Sequence, residues 1–213
     1  MLGVVPEPRT VDDRALAPAE IRAAAQLAVR AFGDDPFFRF IMPDDALRRR
    51  GLYLVHKSVM AHAGRGAHLR TVRGDDDQIL GVALWLPTGR YPQSVLTQLA
   101  QVSGTMRAFL IRLETMRRGY AYVKAAATTH PKDPHWYLQL LMSEPSDQRH
   151  GIGTALMNEA LPRIDVEGVG SSLETQNADN LAYYARFGFE LRNTLQPIAE
   201  GPALYSLWRP ART

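Results

Sequence analysis

Residues 148–154 read Gln-Arg-His-Gly-Ile-Gly-Thr: two glycines two apart, a basic residue and a histidine before them, and a helical pattern after. Glycine puts no side chain between its amide and a partner. The first turn of a helix leaves N–H groups unpaired and carries a partial positive charge. Gln148, Arg149, His150, Gly151, Ile152, Gly153 and Thr154 are therefore a candidate cradle for a phosphate or pyrophosphate. A plain tight turn fits the same spacing, and the loop alone leaves both readings open. Other anion and catalytic motifs are missing from the sequence. It has no GxxxxGK[ST] loop, no third glycine to complete a dinucleotide fingerprint, and neither HExxH nor GxSxG. The six histidines, at 56, 62, 68, 130, 135 and 150, are not at metal-ligand spacings, so no metal is expected. The chain has no cysteine, which excludes disulfides, thiolate metal sites and a Cys nucleophile.

The elements that would position this loop follow from periodicity. Residues 18–32 give one apolar face (Ile21, Ala24, Ala25, Ala28, Phe32) after a proline at the first helical position, so a helix is expected there. DDPFFRFIMPDD, from residue 34, reads as a turn with an aromatic cluster, and residues 45–62 read as a second helix. Strands are expected at 67–73 and 79–86 around the hairpin tip GDDDQ. A helical insertion follows at about 91–130. Its stripe of Met106, Phe109, Leu110, Leu113 and Met116 has the spacing of a packing face. The last third alternates: a strand at 135–142, the glycine loop with its helix, a strand at 170–176, a helix at 178–187, and strands at 189–195 and 203–208. Pro162 is expected to shorten or kink the helix after the loop. This order is α/β with a mixed sheet.

At 213 residues and 46% hydrophobic, the chain is long enough for a core without covalent staples. The net charge of +3 suits an anionic ligand. The arginines are scattered, so nucleic acid is not the expected partner. No segment has the ~18 apolar residues of a spanning helix, so no membrane partner is expected. The opening MLGVVPEPRT is not a secretory signal, and a cytoplasmic location is expected.

Three pieces in order carry a resemblance: LLMSEP at 140–145, QRHGIG at 148–153 and NLAYYARFGF at 180–189. Together they resemble the GNAT family (GCN5-related N-acetyltransferases), and HWYLQLL, SLET and AFGDDPFFRFIMPD are similar to segments of its antibiotic N-acetyltransferase type. The correspondence covers 135–209, more loosely towards the N-terminus. It implies a single acetyltransferase domain over 1–213, with a twisted central sheet flanked by helices. It implies acetyl-CoA as cofactor, its pyrophosphate on Gln148–Thr154 and its thioester beside Leu141, Met142 and Ser143. Tyr184 matches the family's general acid, and Asn180, one turn earlier, would face the same cofactor arm. Glu174 and Glu144 are the candidate bases, although an amine can also lose its proton to water. Ser143 departs from the family's frequent Val, at a place where main chain does the work. The acceptor is expected to be a small-molecule amine, held by residues 34–38, Trp85 and the 91–127 helices, with a homodimer as one option for assembly. A protein or peptide acceptor, or a silent coenzyme A-binding regulatory domain, are the alternatives.

Overall fold

The computed structural model describes residues 10–63, 66–91, 113–147 and 150–212. One sheet of seven strands organises them: β1 (Val11–Asp12), β2 (His68–Arg73), β3 (Ile79–Leu86), β4 (His135–Ser143), β5 (Gly170–Thr175), β6 (Glu190–Leu195) and β7 (Leu204–Arg209), in the order β1-β2-β3-β4-β5-β7-β6. Every neighbouring pair is antiparallel except β4 and β5, which are parallel. Six helices flank it: α1 (Pro18–Phe32), α2 (Pro36–Ile41), α3 (Asp45–Ala61), α4 (Leu113–Thr129), α5 (Ile152–Val166) and α6 (Asp179–Ala185). None of them is long and apolar enough to cross a membrane.

The core lies on both faces of the sheet. On one face α5 buries Leu156, Met157, Ala160 and Ile164 against Ala83, Trp85 and Leu173. On the other, α1 buries Ala24, Ala25, Leu27 and Ala28 against Val82, Leu84, Leu140 and Met142. Strand β4 serves both faces. Leu84 pairs with Leu140 while Trp85 pairs with Leu138, so the register shifts by one residue at Gln139. One extra residue reverses the pleat. Trp136 and Leu138 therefore join the α5 side, and Leu140 and Met142 the α1 side.

Several sequence expectations change. The segment after residue 34 is not a turn. Asp35 accepts hydrogen bonds from the Phe37 and Phe38 amides and starts helix α2, with Pro36 at its first position. Pro162 neither ends nor shortens α5, which runs on to Val166. Leu161 and Ile164 are buried on either side of it, so tertiary packing outweighs the missing N–H. Trp85 is fully buried in the core and is not on the wall of the cleft described below. Leu113 and Met116 are exposed rather than packed; α4 buries Thr115 and Tyr122 instead. Met106, Phe109 and Leu110 lie outside the described residues.

A buried ion pair fixes the corner behind α6. Arg209 is 1% exposed. It donates to both carboxylate oxygens of Asp165, at 2.6 and 2.7 Å, and to the Phe187 carbonyl at 2.9 Å. Asp165→Ala would leave that guanidinium buried and uncompensated. The expected loss is about 3 kcal/mol, read by urea unfolding. The hydrogen bond from Arg209 also holds the Asp165 carboxyl below its usual range. This contribution is complete above the unfolded pKa of about 3.9 and fades as pH falls through the lower folded value.

Candidate active site

The glycine loop ends where the sequence placed it. Gly151 caps α5 in the left-handed region (φ +83°), which a residue with a side chain reaches only at a cost of roughly 1–2 kcal/mol. The first helical bond runs from the Ala155 amide to the Gly151 carbonyl, at 2.8 Å. The amides of Ile152, Gly153 and Thr154 thus have no acceptor within the helix. Gly153 has a second reason to lack a side chain: a Cβ there would lie 2.6 Å from the Tyr183 hydroxyl. His150 donates its amide to the Asp147 carbonyl. Gln148 and Arg149 lie outside the described residues.

The parallel strands part in front of this helix end. Pairing of β4 with β5 stops at Tyr137 and Ser172, although β4 continues to Ser143 and β5 to Thr175. Backbone groups of β4 beyond Tyr137 have no β5 neighbour, and a V-shaped opening results. A cleft of about 640 Å³ occupies it. Leu141, Met142 and Ser143 form one wall, Gly151 to Thr154 a second, and Asn180 and Tyr184 a third. Leu141 packs with the α5-side core and Met142 belongs to the α1-side core, so the cleft passes through the sheet. On the α1 side it reaches Ala31, Phe32 and Asp35. Burial raises the Asp35 carboxyl above its usual range, against the two amides it caps.

Tyr184 is 9% exposed, set edge-on to Tyr183 at 5.1 Å and to Phe189 at 6.0 Å. Burial, and then neighbouring Tyr183, push its phenol well above 10, so the hydroxyl stays protonated. Asn180 does more than face the cleft. Its side-chain amide donates to Thr175 Oγ1 at 3.1 Å, and the Asn177 amide donates to the same oxygen at 3.3 Å, which ties α6 to the end of β5. The two candidate bases are not on the cleft wall. Glu144 is gripped by Arg30 at 2.7 and 2.9 Å, a bridge from α1 to the end of β4. Glu174 projects from β5, with a nearly buried side chain, 3.9 Å from His130 Nδ1.

Residues not anticipated also line the cleft. Tyr183 has a buried hydroxyl without a partner among the described residues, and burial pushes its pKa up to about 12. Arg186 stacks its guanidinium over the Tyr183 ring at 5.0 Å. Asp147 and Asp179 bring negative charge to the rim. The adjacent Tyr183 and Tyr184 carried the signal for the first of these, but only α6 shows that both rings turn inward.

The model of the Acetyltransferase (GNAT) family matches residues 62–189. Among solved structures, a Corynebacterium glutamicum protein described as "histone acetyltransferase HPA2 and related acetyltransferase" is similar over 97% of this chain and 98% of its own. Its TM-score is 0.69 at 24% identity. Arylalkylamine N-acetyltransferase 2 of Aedes aegypti is similar over 95% and 100%, with a TM-score of 0.62 at 10% identity. The PaiA N-acetyltransferase of Thermoplasma acidophilum, solved with coenzyme A, is similar over 94% and 99%, with a TM-score of 0.57 at 11% identity. At these identities the likeness is one of fold.

Proposed function

The chain belongs to the GNAT acetyltransferase family, and from that premise we propose that it transfers acetyl from acetyl-CoA to the primary amine of a small molecule in a ternary complex. The observation that carries this reading is the cleft through the sheet, with bare helix amides at one end and Tyr184 on its wall. The residues fit such a cofactor. The free amides of Ile152, Gly153 and Thr154 suit a pyrophosphate, and the main chain at Leu141 to Ser143, which pairs with β3 but has no neighbour on its β5 side, suits an extended arm and an acyl oxygen. When bound, acetyl-CoA supplies an acyl carbon activated as a thioester. Tyr184 Oη holds the proton that the departing sulfur needs. Glu144, occupied by Arg30, is the weaker of the two base candidates.

Helix packing supports a small acceptor. On the α1 face, α2 and α4 close together: Phe37 sits edge-on to Tyr122 at 4.8 Å, and Arg118 donates to the Phe40 carbonyl at 2.6 Å.

Acetyl-CoA at 100 times its Kd should stabilise the fold by about 2.7 kcal/mol. For a chain of this size that is a rise in Tm of roughly 5–10 °C by differential scanning fluorimetry. Thiol release across a panel of small amines and peptides tests the reaction itself. Turnover with peptides alone would replace the small-molecule reading. A clear rise in Tm with no turnover on any amine would leave a binding domain.

A further inference from the structure

The cleft wall carries one polar side chain that neither the α5 amides nor the proton of Tyr184 accounts for. Tyr183, from α6, lines the cleft, as do Gly153 and Thr154 of α5. Its Oη is buried and has no hydrogen-bond partner among the described residues. The same oxygen lies 2.6 Å from the point where a Gly153 Cβ would stand, with the next ring atom, Cζ, at 3.4 Å. The hydroxyl is therefore lodged against the first turn of α5. It sits beside the amides of Ile152, Gly153 and Thr154, which precede the first helical bond from Ala155.

A buried hydroxyl without a partner is costly, and folded proteins keep few of them. The surroundings say which partner suits this one. Burial pushes the phenol up to about 12, so it carries its hydrogen at neutral pH and can donate. The neighbouring main-chain groups of α5 are donors as well. Arg186 stacks its guanidinium over the Tyr183 ring at 5.0 Å and also lines the cleft, which adds positive charge. Asp147 and Asp179 stand on the same wall, and neither bonds to Oη. Three amides, a phenol and a guanidinium converge, and what they lack is a group with several anionic oxygens. A diphosphate is such a group. The carbonyls of an extended arm would instead run along β4, on the opposite wall.

Resting on the acetyltransferase reading, we infer that Tyr183 is a cofactor-binding residue: its Oη donates a hydrogen bond to the diphosphate of acetyl-CoA, as a fourth donor beside the three α5 amides. Gly153 is then bare to make room for a phenol as well as for a phosphate. The two adjacent tyrosines divide the work. Tyr183 holds the cofactor, and Tyr184 supplies the proton.

Loss of Oη alone separates this role from packing. Tyr183→Phe keeps the ring, which sits edge-on to Tyr184 at 5.1 Å and to Phe187 at 5.2 Å. In the free protein it deletes a donor that has no partner, so the urea midpoint should hold or rise. Coenzyme A, titrated calorimetrically into the full chain, should bind about tenfold or more weakly, as expected for a hydrogen bond to a charged group. Gly153→Ala checks the position of the oxygen. It should lower the urea midpoint more in the wild-type chain than in Tyr183→Phe, where the atom nearest the new methyl is gone. Three results would each overturn the inference. One is coenzyme A affinity within twofold of wild type in folded Tyr183→Phe. Another is an equal cost of Gly153→Ala in both backgrounds. The third is a crystal structure of the coenzyme A complex with Oη bonded to the pantetheine arm and not to the diphosphate. Wild-type protein that binds no coenzyme A refutes the acetyltransferase reading itself, whereas binding that Tyr183→Phe leaves unaltered refutes only the role of Tyr183.

Discussion

Tyr184→Phe should lower kcat by about 10²–10⁴-fold, the range for loss of one positioned general acid, while the affinity for acetyl-CoA stays within about twofold. The ring makes the packing contacts with Tyr183 and Phe189, and Phe preserves it. Only Oη is lost, from a side chain on the cleft wall. Steady-state kinetics and a binding isotherm on the same preparation separate the two effects. The pH profile adds a second check. A phenol with a raised pKa is protonated, and so competent as an acid, everywhere below that value. The wild-type kcat profile should show no alkaline fall before about pH 10, the ordinary phenol value. A fall centred near pH 8 would assign the acid to another group. Full activity in Tyr184→Phe would remove Tyr184 from the chemistry altogether.

Gly81→Val should abolish acetyl-CoA binding from a distance. Gly81 lies on β3 opposite Ser143, and a Cβ there would run into the Ile152 side chain. Ile152 is the first residue of α5 and is 2% exposed. A larger residue at 81 must push the helix start away from the sheet and carry the three free amides with it. Overpacking of this kind costs about 1–3 kcal/mol, so the protein should still fold, with a lower urea midpoint. The rise in Tm given by acetyl-CoA should disappear. A variant that folds and still binds acetyl-CoA normally would show that α5 is not held in place by this contact. Gly81→Ala, with one carbon, should fall between the two.

The glycine loop, Tyr184 and the order of strands and helices were legible because each has a local signature. Gly151 and Gly153 announce a helix start, and the apolar runs at 79–86 and 135–142 announce strands. The features that make those residues a site depend on contacts distant in the chain. The parting of β4 from β5 at Tyr137 and Ser172 leaves no mark in either strand, and nothing near Gly81 says that Ile152 will sit against it. Asp35 was readable as a helix cap only with Phe37 and Phe38 as its donors; in sequence the aromatic cluster masked a short helix. Pro162 misled for the opposite reason: a local rule was correct in kind, and buried Leu161 and Ile164 overrode it. Glu144 and Glu174 look alike as isolated carboxylates. Arg30, more than a hundred residues away, neutralises the first, while His130 and Tyr137 surround the second.

Gln139 has an effect larger than its size. Because that one inserted residue reverses the parity of β4, a single strand is shared by two hydrophobic layers. The layer under α1 cannot loosen without disturbing the stretch that anchors α5, nor the reverse. The two halves of the molecule are thereby bound into one cooperative unit, and the wall of the cleft is the seam along which they are joined.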